Sequence, residues 1–141
     1  MKLQQLIGDC KPQQVVGNVD RDVTGIEIDS RLIKEGAVFV AMRGTQVDGH
    51  SFIGKAIELG AAVVVCERLP ESLSDDVTYL VYPNTDDVVG TLATHFFGDP
   101  SRRMHLIGVT GTNGKTTIAT VLYNMFRQFG YKCGLCSTVC N

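Results

Sequence analysis

Gly108-Val109-Thr110-Gly111-Thr112-Asn113-Gly114-Lys115-Thr116-Thr117 is the stretch on which the reading of this chain turns. The mostly apolar residues 105–110 predict a strand running into it. Behind it, Ile118, Val121, Leu122, Met125, Phe126 and Phe129 recur at the spacing of one helical face, which predicts an inward-facing helix over residues 115–129, capped by Gly130. A strand, a glycine-rich turn and a helix opening on Lys-Thr are what a phosphate-binding loop requires. Glycines let successive backbone N–H groups curl towards phosphate oxygens, and the helix N-terminus adds partial positive charge. Lys115 supplies a full charge towards the outer phosphates, and the Thr116 hydroxyl is placed to hold a magnesium ion. The pattern departs from the common one at Val109, where a glycine usually stands; the glycines here are Gly108, Gly111 and Gly114.

Working upstream, Gly98-Asp99-Pro100-Ser101 joins a helix stop to a proline, and Arg102-Arg103 adds exposed charge. Such a stretch reads as a linker, so a domain boundary is placed between residues 98 and 99. Before it, Val88, Val89, Leu92, Ala93, Phe96 and Phe97 line one face of a helix expected over residues 85–97. Residues 78–82, 62–66 and 37–42 are short apolar runs of the kind that form buried strands, and residues 23–28 alternate like a half-buried one. A helix over residues 51–59, stopped by Gly60, falls between two of them. Strands alternating with helices define an α/β fold.

Composition narrows the classes of function. Thirteen basic and fifteen acidic residues leave a formal charge of −2, without the clustered basic surface that nucleic acid requires. No apolar run approaches the roughly 20 residues of a membrane helix. The first seven residues, Met1-Lys2-Leu3-Gln4-Gln5-Leu6-Ile7, are too polar for a signal peptide, so a cytoplasmic protein is expected. Cys133-x-x-Cys136, with Cys140, invites a metal reading, but no second pair or histidine stands nearby. Reduced thiols in and around a buried strand are the simpler expectation.

The ten residues from Gly108 to Thr117 closely resemble the ATP loop of the Mur ligases, which build the peptide stem of peptidoglycan. Folylpolyglutamate synthases share Gly-Thr-Asn-Gly-Lys but usually follow it with Gly-Ser. The resemblance extends upstream through Asp29-Ser30-Arg31, Gly36, Arg43-Gly44, Asp48-Gly49-His50-Ser51-Phe52 and Gly60-Ala61, a series similar to the first domain of the MurE and MurF types. Phe96-Phe97-Gly98-Asp99-Pro100-Ser101 and Gly134-Leu135-Cys136-Ser137-Thr138-Val139 resemble the MurE type in particular.

The resemblance implies a small N-terminal α/β substrate domain over residues 1–98, which holds the UDP end of UDP-MurNAc-L-Ala-D-Glu. Residues 99–141 then begin a central ATP-binding domain, incomplete here, so the chain alone is expected to be inactive as a ligase. Ser30 matches the serine that contacts the uridine diphosphate group, and Thr45 and Gln46 fall in a loop that approaches it. Read from the residues alone, Ser30 either gives its hydroxyl to a phosphate or bonds its own backbone at a turn. Arg31 and Arg43 either pair with diphosphate or solvate the surface. Thr110, Gly111, Thr112, Asn113, Gly114, Lys115 and Thr116 would bind ATP, with Lys115 catalytic and Thr116 on magnesium. ATP would phosphorylate the D-glutamate carboxylate, and the amine of meso-diaminopimelate or L-lysine would attack the acyl phosphate. The implied whole enzyme is a monomer, whereas this chain is expected to self-associate through its unpaired helix. A MurF-type or folylpolyglutamate-synthase-like ligase, or a non-catalytic nucleotide-sugar binding module, are the competing readings.

Overall fold

The computed structural model describes residues 1–44 and 47–138. The chain divides into two compact units, Met1–Arg103 and Met104–Asn141.

In the first unit the elements run α1 (Leu3–Ile7), β1 (Gln14–Val16), β2 (Ile26–Glu27), β3 (Val38–Val40), α2 (Ile53–Glu58), β4 (Val63–Cys66), β5 (Thr78–Val81) and α3 (Thr85–Phe97), with short 3₁₀ turns at Ser30–Leu32, Gly49–Phe52 and Pro100–Arg103. The five strands form one sheet in the order β1-β5-β4-β3-β2. β2, β3, β4 and β5 are parallel, and β1 closes the other edge antiparallel to β5.

Alternation of side chains across the pleat builds two cores from the same strands. Phe39, Val64, Cys66 and Tyr79 face one side, where Ile53 and Ala56 of α2 cover them. Val38, Val40, Val63, Val65 and Leu80 face the other, against Leu3 and Leu6 of α1 and Leu92 of α3. Burial on both faces is why these strands read as unbroken apolar runs. The predicted helix over residues 85–97 is α3, opened by the Asn84 side chain on the Asp86 N–H and ended by Gly98 in the left-handed region. Of its apolar face, Leu92 is buried and Val88, Val89 and Phe96 are partly so, but Phe97 is exposed, its ring T-shaped against that of Phe96 at 5.1 Å.

The second unit contains α4 (Lys115–Gln128). Two expectations fail here. Residues 105–110 and the described part of 133–139 form no strand. A strand exists only where a neighbour takes its N–H and C=O groups, and no such neighbour occurs among the described residues of this unit. Val139, Cys140 and the end of the predicted second strand lie outside the described residues. The apolar face of α4 also does not face inward: no residue of the helix is buried, and Ile118, Val121 and Phe129 are all more than half exposed. No helix among the described residues is long and apolar enough to cross a membrane.

Candidate functional site

The carboxyl ends of β2 and β3 open onto a cleft of about 540 Å³, lined by Ser30, Arg31, Met42, Gly49, Phe52 and Lys55 among others. Crevices at the carboxyl ends of parallel strands are where α/β folds take ligands, and this volume is that of a small-molecule site. Ser30 arrives there because Asp29 caps a 3₁₀ turn, accepting the Arg31 N–H at 2.9 Å. The same carboxylate takes the Arg31 guanidinium through Nε at 2.9 Å and Nη2 at 2.6 Å. The hydrogen bonds from Arg31 are the largest cause holding the Asp29 carboxyl down to about 2. Ser30 is thereby held at the cleft floor, 6% exposed. Its hydroxyl makes no hydrogen bond among the described residues, so it is not spent on the local turn.

The opposite wall is the loop from Arg43 to Asp48, whose ends pair as an isolated antiparallel bridge. Thr45 and Gln46 lie outside the described residues. Gly44 N–H bonds Val47 O at 3.1 Å, and Gly49 N–H bonds Met42 O at 2.8 Å. Gly49 is required at this point, because a Cβ would stand 2.5 Å from the Met42 carbonyl oxygen. Asp48 caps the next 3₁₀ turn, accepting the His50 N–H at 3.0 Å and lying 2.7 Å from His50 Nδ1. His50 Nε2 accepts the Glu67 backbone N–H at 2.9 Å, which assigns the ring proton to Nδ1. Glu67 in turn takes Arg43 Nε at 3.0 Å and the Thr85 N–H at 3.2 Å. His50 thus ties the loop to β4, and Glu67 ties it to the start of α3. The two arginines that the sequence offers to a diphosphate are both already paired with carboxylates.

In the second unit, Gly111 and Gly114 both adopt positive φ, and Gly114 caps α4 from the left-handed region. No side chain caps the first turn of α4, so its amides carry no side-chain acceptor. Lys115 Nζ folds back over the loop, donating to Gly111 O at 2.6 Å and Thr112 O at 3.3 Å. An uncapped 14-residue helix with a lysine across its mouth suits a phosphate chain. Thr116 stands partly buried in the first turn, and no group of three His, Cys, Asp or Glu side chains that could hold a metal ion occurs among the described residues.

Sequence reasoning named Ser30, Lys115 and Thr116 but passed over Lys55, Met42 and Phe52 as cleft residues. The signal for Lys55 was only its place on the polar side of the 51–59 helix.

Residues 22–97 match the model of the Mur ligase family, catalytic domain. Over all 141 residues the chain is 59% identical to the UDP-N-acetylmuramoyl-L-alanyl-D-glutamate–2,6-diaminopimelate ligase of Phocaeicola vulgatus and 53% identical to that of Bacteroides fragilis. It spans 29% of the length of each of these curated relatives. Among solved structures, the MurF ligase of Thermotoga maritima in complex with ADP is similar over 75% of this chain and 24% of that one, at 32% identity and a TM-score of 0.58. The chain belongs to the Mur ligase family.

Proposed function

We propose that this chain is the substrate-binding and ATP-loop portion of a ligase that joins 2,6-diaminopimelate to UDP-MurNAc-L-Ala-D-Glu at the expense of ATP. The observation that carries this reading is the 59% and 53% identity with ligases of that name over the whole length of the chain. The relatives' names favour diaminopimelate over L-lysine, and the ligase over a MurF-type or folylpolyglutamate-synthase-like enzyme. Residues 1–98 hold the UDP end of the substrate, with the Ser30 hydroxyl on the uridine diphosphate group and Thr45 and Gln46 approaching it. Residues 99–141 begin the ATP-binding domain. Such a reaction draws on ATP and a nucleotide sugar, which belongs to the cytoplasm, and the whole enzyme works as a monomer.

The chemistry asked of the loop is electrostatic. A carboxylate is a poor electrophile, so the D-glutamate carboxylate must become an acyl phosphate before an amine can displace phosphate. Thr110, Gly111, Thr112, Asn113 and Gly114 wrap the phosphates with backbone amides. Lys115 exchanges its bonds to Gly111 O and Thr112 O for the oxygens of the transferring phosphoryl group. Magnesium, when bound, neutralises phosphate charge, and Thr116 Oγ1 is the group of this chain that holds it.

The test uses the whole enzyme with UDP-MurNAc-L-Ala-D-Glu, ATP–magnesium and a panel of acceptors, reading phosphate release and product mass. Diaminopimelate should be joined, and Lys115→Ala should lower turnover by about a hundredfold or more. Product with L-lysine alone, or undiminished turnover in Lys115→Ala, overturns the respective part. In the 141-residue chain, which we infer is inactive alone, calorimetry should find saturable UDP binding near ~1 mM, weakened in Ser30→Ala.

A further inference from the structure

Among the described residues, the cleft lining carries one cation that no carboxylate pairs. Asp29 occupies the guanidinium of Arg31, and Glu67 occupies that of Arg43. Lys55 lies on α2 and lines the same cleft as Ser30, yet its ammonium makes no hydrogen bond and no ion pair among the described residues. The side chains of Ile28, Met42, Val47 and Phe52 complete an apolar wall. Within the cleft lining, Asp29 and Arg31 cancel, and the charge of Lys55 remains. An apolar wall beside a single unspent cation is a site for a flat neutral ring joined to an anion.

We propose that Lys55 is a specificity-determining residue of this cleft, its ammonium taking the diphosphate of the uridine nucleotide while the wall around Phe52 takes the nucleoside. The proposal rests on the reading of the cleft as the UDP site. Lys55 suits the role because a flexible ammonium can follow an anion that Arg31, locked in its fork with Asp29, cannot reach. Its charge does reach Asp29, where it is the weakest of the influences that favour the carboxylate.

Calorimetry on the 141-residue chain with uridine, UMP, UDP and free pyrophosphate tests this. Lys55→Met should weaken UDP about tenfold, the loss expected for one charge-assisted bond, and leave uridine unchanged. Lys55→Arg should restore most of the affinity, and Lys11→Met, which removes the same charge from outside the cleft, should do nothing. The salt dependence of UDP binding should flatten in Lys55→Met. Four results overturn the proposal. If Lys55→Met binds UDP like the parent while Ser30→Ala does not, the site stands and the role of Lys55 falls. If Lys55→Met loses uridine as much as UDP, the lysine only shapes the cleft. If pyrophosphate alone binds as tightly as UDP, the lysine belongs to a plain anion site. If the parent chain binds no UDP at all, both this proposal and the reading beneath it fall.

Discussion

His50 shows how a residue quoted for its place in a pattern acquires a physical reason. Its ring is 6% exposed and committed on both sides, donating to Asp48 and accepting from the Glu67 amide. Asp48 as the fixer of the turn was legible in Asp-Gly-His, because an aspartate capping its own turn is a local event. The partner across the sheet was not legible, since Glu67 belongs to another strand end and only folding brings it near. The same limit applies to Arg43, whose partner Glu67 lies far along the chain, whereas the pairing of Arg31 with Asp29 is a local event. Gly49 carries a sharper consequence: Gly49→Ala should destabilise the first unit by about 1–3 kcal/mol, because its Cβ would press on Met42 backbone atoms that cannot swing aside. A urea-unfolding midpoint equal to that of the parent would show that the loop relaxes freely. Buried acids predict the alkaline limit. Burial pushes the Cys66 thiol up to about 11 and raises the Tyr82 phenol further. Both groups fold in their neutral forms and ionise more readily in the unfolded chain, so stability is intact below the ordinary thiol range and is lost as pH rises from 9 towards 11. Thermal unfolding across that window should show the loss, of roughly 2–3 kcal/mol from Cys66 alone; Cys66→Ser, which cannot ionise there, should flatten it.

Among the elements, those legible in sequence were the ones whose burial follows their own period. β3, β4 and β5 are covered on both faces, so apolar runs mark them, and α3 carries both a cap and a stripe. β1 and α1 left no such trace. Gln14 and Val15 of β1 are exposed, and the segment is a strand only because Gln14, Val15 and Val16 pair with Val81, Leu80 and Tyr79. Residues 105–110 are the converse, a strand pattern without a partner, with Leu106 94% exposed. The α3 cap offers a contained test. Asn84→Ala removes the acceptor for the Asp86 N–H, 2.9 Å away, and should cost about 1 kcal/mol by chemical denaturation, whereas Asn84→Asp should keep nearly all of it. An alanine variant as stable as the parent would mean that water replaces the cap without loss.

For the molecule as a whole, we expect the apolar face of α4 to set behaviour in solution. Ile118, Val121, Met125 and Phe129 are all exposed. Exposed apolar stripes of that kind find partners. Sedimentation of the chain should therefore show concentration-dependent self-association, and Ile118→Glu with Val121→Glu should abolish it while leaving UDP binding in the first unit intact. A parent chain that stays monomeric at ~1 mM, where even the weak association of one helix face would be populated, would refute the idea. The antiparallel edge of the sheet has a consequence of another kind. Of the five strands described in this sheet β1 is made first, yet among the described residues it pairs only with β5, which is made last of the five. During synthesis the segment around Val15 must wait, unpaired, while β2, β3 and β4 appear in order, β3 able to join β2 and β4 able to join β3. The seam between β1 and β5 is accordingly the pairing of widest sequence separation in the sheet, and a nascent chain halted before Thr78 cannot yet close it.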